Sequence, residues 1–415
     1  MNSSKIKILY ILNSSSGGAT QGIIELVKQI DKNKFEIYFV TPDYPNNHQQ
    51  SIFDSITKDH KVIQMGWWNK DVTKPILKRI LSGISINIKT LLGFKPIISI
   101  ANQIKTWNID VVHTSTSLTI AGALAAKLTR KPHIWHIREP IGSKGLFKFW
   151  LPDAILPHIF KYLSYYIVPM SKYVGNLFIE HPFKNSSDKI TVIYDGIDIT
   201  EFEKEYRHNE LRLKLGVQPD KLLIGMVGSL SSPWKRHDLF IKTAAILAKK
   251  YDNIQFIIFG HQPKTSAKLH NQGTLYLNNL KVLSNNLELD DKLIWGGFIN
   301  NIPLIMSCLD ILVHTCHTEG FGRIAIEAMA AGKPVVGPNQ GGISESVVNE
   351  TTGILVDPKQ IKQFAEATER LVISSELRQR FGNNGKIRAV NKFSIEHHTM
   401  EITNLYKNII ASNNK

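Results

Sequence analysis

Apolar positions along this chain follow two rhythms that alternate from the first residues to the last. Short runs rich in Ile, Val, Leu and Phe, at Lys5–Leu12, Phe35–Thr41, Lys61–Gln64, Asp110–Thr114, His133–Glu139, Tyr166–Pro169 and Ile190–Tyr194, predict strands. Between them, apolar residues recur at helical spacing over Thr20–Ile30, Leu118–Leu128 and Ser171–Ile179. The turn Asp195-Gly196-Ile197-Asp198 follows, and from about Thr200 the alternation restarts. Strands are then expected at Leu222–Val227, Ile254–Phe259, Leu293–Trp295, Ile311–His314, Val335–Val336 and Ile354–Asp357. Helices are expected at Asp238–Lys250, Arg323–Ala331, Lys362–Ser374 and Ser375–Phe381. Ser394 reads as an N-cap for a last helix carrying Ile395, Met400, Ile402, Leu405 and Ile409 in register. Strand–helix repetition of this kind predicts an α/β fold with doubly wound parallel sheets. A chain of 415 residues exceeds what one hydrophobic core holds, so two domains are expected.

Candidate chemistry falls where strands hand over to helices. Ser14 to Ala19, with Gly17 and Gly18, joins the first strand to its helix, but no third glycine completes a dinucleotide fingerprint. His136, with Arg138 and Glu139 just after it, ends a strand, and strand ends of open parallel sheets point at ligands. In the second half, Gly228-Ser229 leads to Lys235 and Arg236, and a lysine at such a mouth can neutralise a diphosphate. The stretch Glu319-Gly320-Phe321-Gly322 opens a small-residue helix, Arg323, Ile324 and onward, that Gly332 and Pro334 stop. A helix N-terminus leaves about four N–H groups without intrahelical partners and favours an anion. Glu327 lies eight residues past Glu319, and the helical rise puts the two carboxylates roughly 10–12 Å apart. That span suits a sugar–pyrophosphate–ribose unit; a loop entering a packed helix with two incidental glutamates is the plainer alternative.

The run EGFGRIAIEAMAAGKPVV, with Glu319 and Glu327 flanking seven residues, resembles the motif of the retaining glycosyltransferases of the GT-B fold, the group 1 family. The likeness continues through GGISESVVNETTGILVDP, and ITVIYDGID resembles the family's interdomain connection, with Asp195 in place of the common Asn. The resemblance implies two doubly wound Rossmann-like domains facing across a cleft, and a C-terminal helix that crosses back to the first. The expected boundaries are residues 1–196 plus 395–415 for an acceptor-binding domain and 197–394 for a nucleotide-sugar-binding domain. It further implies that His136, Glu319 and Lys235 carry the chemistry, and that Arg138 and Glu139 bind acceptor. Donor binding would fall to Gly17, Gly18, Ser229, Lys235, Arg236, Phe298, Gly320, Phe321, Gly322, Arg323, Ile324 and Glu327, with the backbone near Phe298 meeting the base. Ser229 departs from the family's usual Arg, which leaves Arg236 to compensate or the phosphate to be held by fewer charges.

Composition adjusts this picture in three places. With 50 Lys and Arg against 35 Asp and Glu, the net charge of +15 asks for an anionic partner. No nucleic-acid motif accompanies it. Segment 70–95 combines helically spaced apolar residues with lysines, which fits either an anionic membrane surface or a core helix with solvated lysines. Only Cys308 and Cys316 are present, which points to a reducing cytoplasm rather than a disulfide scaffold, and no apolar run approaches the ~18 residues of a membrane span. No Asp-x-Asp occurs, so a metal-independent reaction without cofactor is expected, the nucleotide sugar being a substrate. Surface polysaccharide or glycolipid synthesis is the setting that the resemblance implies. A hydrolysing nucleotide-sugar epimerase of the same fold, or a basic binding module without catalysis, are the competing readings.

Overall fold

The structure, a computed structural model, describes residues 5–15, 17–70, 94–142, 145, 147–149, 151–179, 189–262 and 270–413. It divides into two compact units, Met1–Gly196 with Ile395–Lys415, and Ile197–Ser394. Most of segment 70–95, residues 71–93, lies outside the described residues.

The first unit is built on β1 (Ile6–Ile11), β2 (Phe35–Thr41), β3 (Asp59–Val62), β4 (Asn69–Lys70), β5 (Val111–Thr114), β6 (His133–Ile137), β7 (Lys148–Phe149) and β8 (Tyr166–Pro169). β4 and β7 pair as a separate antiparallel ribbon, and the other six strands form a sheet in the order β3-β2-β1-β5-β6-β8, parallel throughout. Alternate residues of β1 serve opposite faces. Ile8 and Tyr10 join a core with Ile23 and Val27 of helix α1 (Gly18–Gln29), and with Ile402, Leu405, Tyr406 and Ile409 of the final helix. Leu9 and Ile11 join the opposite core, with Ile100, Ile104 and Ala125. Burial on both faces explains why the strands read as continuous apolar runs.

The second unit repeats the plan with β9 (Leu222–Val227), β10 (Ile254–Phe259), β11 (Leu293–Gly297), β12 (Ile311–Val313), β13 (Val335–Pro338) and β14 (Gly353–Val356). Their order is β11-β10-β9-β12-β13-β14, again parallel. Both sheets therefore have the doubly wound arrangement in which the first and fourth strands lie side by side at the centre. Among the described residues, no helix is long and apolar enough to cross a membrane.

Three expectations need correction, and one long helix was missed. Ile190–Tyr194 is not a strand: Thr191 and Ile193 donate to the Ile167 and Pro169 carbonyls at 3.1 Å each, but Pro169 has no N–H to return the bond, and the ladder stops. The helix expected to end at Phe381 runs on to Phe393. Helix His270–Asn286 was not anticipated. Met400 is 52% exposed, whereas its helix neighbours Ile395, Ile402 and Ile409 are buried.

Gly382 explains the longer helix. A Cβ there would lie 2.0 Å from the Gly332 carbonyl oxygen, just beyond the helix Arg323–Ala330. The glycine is present for close backbone approach and not as a stop. Gly382→Ala is expected to lower unfolding free energy by about 1–3 kcal/mol through overpacking. Gly385→Ala, where the nearest atoms belong to the flexible Met329 side chain at 3.1 and 3.2 Å, should cost much less. Denaturant unfolding of both variants checks the ranking, and equal stability of the two would contradict this packing.

Candidate active site

In doubly wound sheets, ligands sit beyond the carboxyl ends of the strands where the winding reverses. In the second unit that point lies between β9 and β12, so Gly228-Ser229 and the loop from His314 to Gly322 occupy it. Lys235 closes a 3-10 turn, Pro233–Lys235, and Arg236 follows in the left-handed region at φ 59° before helix α2 (His237–Ala248) begins. The Thr315 hydroxyl donates to the Lys235 and Arg236 carbonyls at 2.8 and 2.9 Å, tying the turn to the end of β12.

The Lys235 ammonium donates to Glu319 Oε2 at 2.5 Å. Burial works against both charges, but each group holds the other charged: the lysine pKa is raised and the glutamate pKa lowered. His314 Nε2 lies 3.7 Å from the same carboxylate oxygen, and burial pushes this imidazole down to about 4, so it is neutral near neutral pH. The Glu319 carbonyl accepts from Gly342 N at 2.8 Å. A Cβ on Gly342 would meet the Gly320 carbonyl oxygen at 2.2 Å, so only glycine lets these two loops close together.

Gly322, at φ 81°, caps helix α3 (Arg323–Ala330) without a side-chain hydrogen bond. Glu327 is 7% exposed and accepts from Arg323 Nε at 2.9 Å. Because Glu319 precedes the helix, helical rise does not set its separation from Glu327, and the expected span does not follow. Phe321 is buried with its ring against Phe393, leaving its backbone as the part a ligand could use, while Phe298 is exposed. Arg236, the residue that could compensate for Ser229, is paired through its Nε and Nη2 with Asp238 at 3.0 and 3.2 Å. Ser229 Oγ instead lies 2.9 Å from Ser231 Oγ.

His314, Cys316 and Glu319 each offer an atom that could hold a metal, all within 4.8 Å of one another. The donor set fits an ion poorly. Glu319 Oε2 already receives the Lys235 ammonium, and burial pushes the Cys316 thiol up to about 11, so ligation would require removing a proton from it.

In the first unit, Gly17 (φ 98°) is the N-cap of helix α1, which begins at Gly18 after the loop that follows β1. His136 lies on β6 with its ring fully buried, and Arg138 just beyond is paired through Nη2 with Asp195. His136 Nε2 and Asp195 Oδ1 face each other at 4.0 Å. Asp195, expected only as a turn residue, is thus a buried counter-charge. Glu139 is committed elsewhere: it accepts from Thr116 Oγ1, Ser117 N and Ser117 Oγ at 2.7, 2.9 and 2.9 Å, fastening the loop after β5. Sequence reasoning missed His113, Tyr406, His314 and Thr315. A polar residue at or just beyond a strand's carboxyl end was the available signal for His113, His314 and Thr315, whereas Tyr406 gave none.

Two parallel sheets of identical winding, each with polar groups at its reversal point, define the GT-B class of glycosyltransferase fold. The family model of the glycosyl transferases group 1 matches residues 208–388, and that of glycosyltransferase family 4 matches residues 16–201. An uncharacterized glycosyltransferase of Methanocaldococcus jannaschii is 28% identical over 95% of both chains. The Escherichia coli UDP-Gal:alpha-D-GlcNAc-diphosphoundecaprenol alpha-1,3-galactosyltransferase is 26% identical over 79% of this chain and 82% of its own. The crystal structure of Anabaena HepE in complex with UDP superposes with a TM-score of 0.75 at 20% identity, covering 97% of this chain and all of that one. The chain is a glycosyltransferase whose residues 208–388 match the group 1 family and whose residues 16–201 match family 4.

The buried histidines set a pH dependence. His113 and His136 are held well below the ordinary value, His133 is pushed down to about 3 and His237 and His314 to about 4, burial being the first cause in each. Their folded pKa values lie below the unfolded value of about 6.5, so the unfolded state binds more protons as pH falls below that value. Each contributes stability that is present above pH 6.5 and is lost toward pH 4, at up to about 1.4 kcal/mol per pH unit. The thermal midpoint should therefore fall steeply between pH 7 and 5. A flat profile would show that these rings are protonated or solvated in the native state.

Proposed function

We propose that this glycosyltransferase moves a hexosyl group from a nucleoside diphosphate sugar to a carbohydrate or lipid-linked acceptor, with retention of anomeric configuration and without a metal ion. The observation that carries the reading is the Lys235–Glu319 pair at the β9/β12 reversal point, next to the glycine-capped start of helix α3. In this reading the diphosphate takes the Lys235 ammonium from Glu319, and the backbone from Gly320 to Ile324 lines the phosphates. The released Glu319 carboxylate accepts hydroxyls of the sugar, while Glu327 serves the ribose. His136 is assigned to the sugar and Arg138 to the acceptor. The acceptor oxygen bonds to the anomeric carbon as the bond to the diphosphate oxygen breaks, and the acceptor proton passes to the departing diphosphate on the same face. Lys235 stabilises the charge that grows there.

The UDP in HepE and the UDP-linked galactose of the E. coli relative's name support a nucleotide sugar donor. That relative's alpha-D-GlcNAc-diphosphoundecaprenol acceptor supports a role in surface polysaccharide or glycolipid assembly. The reaction would then run in the cytoplasm, with segment 70–95 as the stretch that meets an anionic membrane.

A panel of nucleotide sugars screened by thermal shift identifies the donor, because a ligand of the native state raises its apparent stability. With that donor, nucleoside diphosphate should be released only when acceptor is present, and at an undiminished rate in excess EDTA. Lys235→Met should lower kcat by about 10²–10³-fold, the loss seen when one stabilising donor is removed from a transition state. Glu327→Gln should act mainly on the donor KM. Activity lost in EDTA and restored by Mn²⁺, or a Lys235→Met enzyme of full activity, would overturn the reading.

A further inference from the structure

A chain of buried hydrogen bonds runs through the first unit from the final helix to His136. Tyr10 Oη and Tyr406 Oη are 2.5 Å apart, Tyr406 Oη is 2.6 Å from His113 Nδ1, and His113 Nε2 is 3.2 Å from His136 Nδ1. All four side chains are fully buried, and the Tyr10 and His113 rings stack at 4.6 Å. Tyr406 and His113 are separated by 293 residues in sequence.

The ends of the chain decide the direction of every proton in it. Tyr10 Oη has Tyr406 as its one hydrogen-bond partner among the described residues. A buried hydroxyl proton left without an acceptor is costly, so Tyr10 donates to Tyr406. Tyr406 then gives its own proton to His113 Nδ1. Burial keeps both imidazoles neutral, so each carries one ring proton. His113 therefore holds its proton on Nε2 and donates it to His136 Nδ1. That leaves the His136 proton on Nε2, the nitrogen that faces Asp195 Oδ1. The opposite direction strands the Tyr10 proton and aims a nitrogen lone pair at a carboxylate. Both ends select the same arrangement.

We propose that Tyr406 and His113 are positioning residues that hold His136 in its Nε2–H tautomer, so that it presents a donor and not an acceptor to a hydroxyl oxygen of the bound sugar. The effect on turnover rests on the transferase reading above; the tautomer itself does not.

Long-range ¹H–¹⁵N spectra of full-length protein labelled at histidine read the tautomer directly. In the wild type, His113 and His136 should both carry the proton on Nε2. Tyr406→Phe and Tyr10→Phe each delete one buried hydroxyl, so a purely structural role predicts equal effects. The relay predicts otherwise: Tyr10→Phe keeps the wild-type pattern, because Tyr406 still donates to His113, whereas Tyr406→Phe removes the hydrogen bond to His113 Nδ1, moves that nitrogen's resonance to the position of a free ring nitrogen and leaves Asp195 as the one hold on the His136 tautomer. With the donor identified, Tyr406→Phe should lower kcat on the order of tenfold, the size of loss that outer-shell partners of a functional histidine give, and change the donor KM less than about twofold. A wild-type His136 protonated on Nδ1, or identical spectra for the two variants, overturns the proposal. The wild-type spectrum decides the tautomer even where a variant does not fold or no nucleotide sugar is turned over, so this inference and the transferase reading can fail separately.

Discussion

A lysine and a glutamate with 23% and 22% of their side chains exposed face each other at the end of β12, and the second unit is arranged around keeping them there. Removing two charges from most of their water is unfavourable unless each finds the other at close range with good geometry. Thr315 fixes the turn that delivers Lys235, and Gly342 fixes the loop that delivers Glu319. The pair is self-neutralised and exchangeable. An anion that offers Lys235 more than one carboxylate oxygen can take it over without creating a new unpaired cation, and the carboxylate is then left to seek hydroxyl groups.

The two units solve the same problem of buried polarity in different ways. Both place polar side chains where a doubly wound sheet reverses its winding, since there the strand ends splay apart and backbone groups lie beyond the ladder. The second unit uses a charged pair. The first keeps most of its polarity neutral, with His113, His136, Tyr10 and Tyr406 in one chain and a single ion pair, Arg138 with Asp195, beside it. A neutral network costs less to bury than isolated charges, provided that each proton has an acceptor.

Much of this fold was legible in the chain because strands buried on both faces announce themselves as unbroken apolar runs and the turns after them carry glycine. His136 stood out because it closes such a run, Lys235 because it lies in the loop after one, and Glu319 because of its spacing from Glu327. What was not legible depends on partners far away in sequence. The helix expected to end at Phe381 runs on through Gly382, and only the Gly332 carbonyl packed against that residue explains why a glycine stands there. Glu139 reads as a candidate acceptor contact, and the hydrogen bonds it accepts from Thr116 and Ser117, more than twenty residues away, were not legible beside it. Tyr406 is one more residue of an amphipathic helix until Tyr10 and His113 are placed around its hydroxyl.

Ile402, Leu405, Tyr406 and Ile409 complete the core formed with β1 and α1, so the first unit's packing includes residues translated after the whole of Ile197–Ser394. On the ribosome, the second unit has all of its sequence before the first does. The sheet that emerges first must wait, with part of one face uncovered, for a helix made after the second unit. The apolar face of the first sheet should therefore stay open to chaperones until Ile395–Asn413 has been made and has docked.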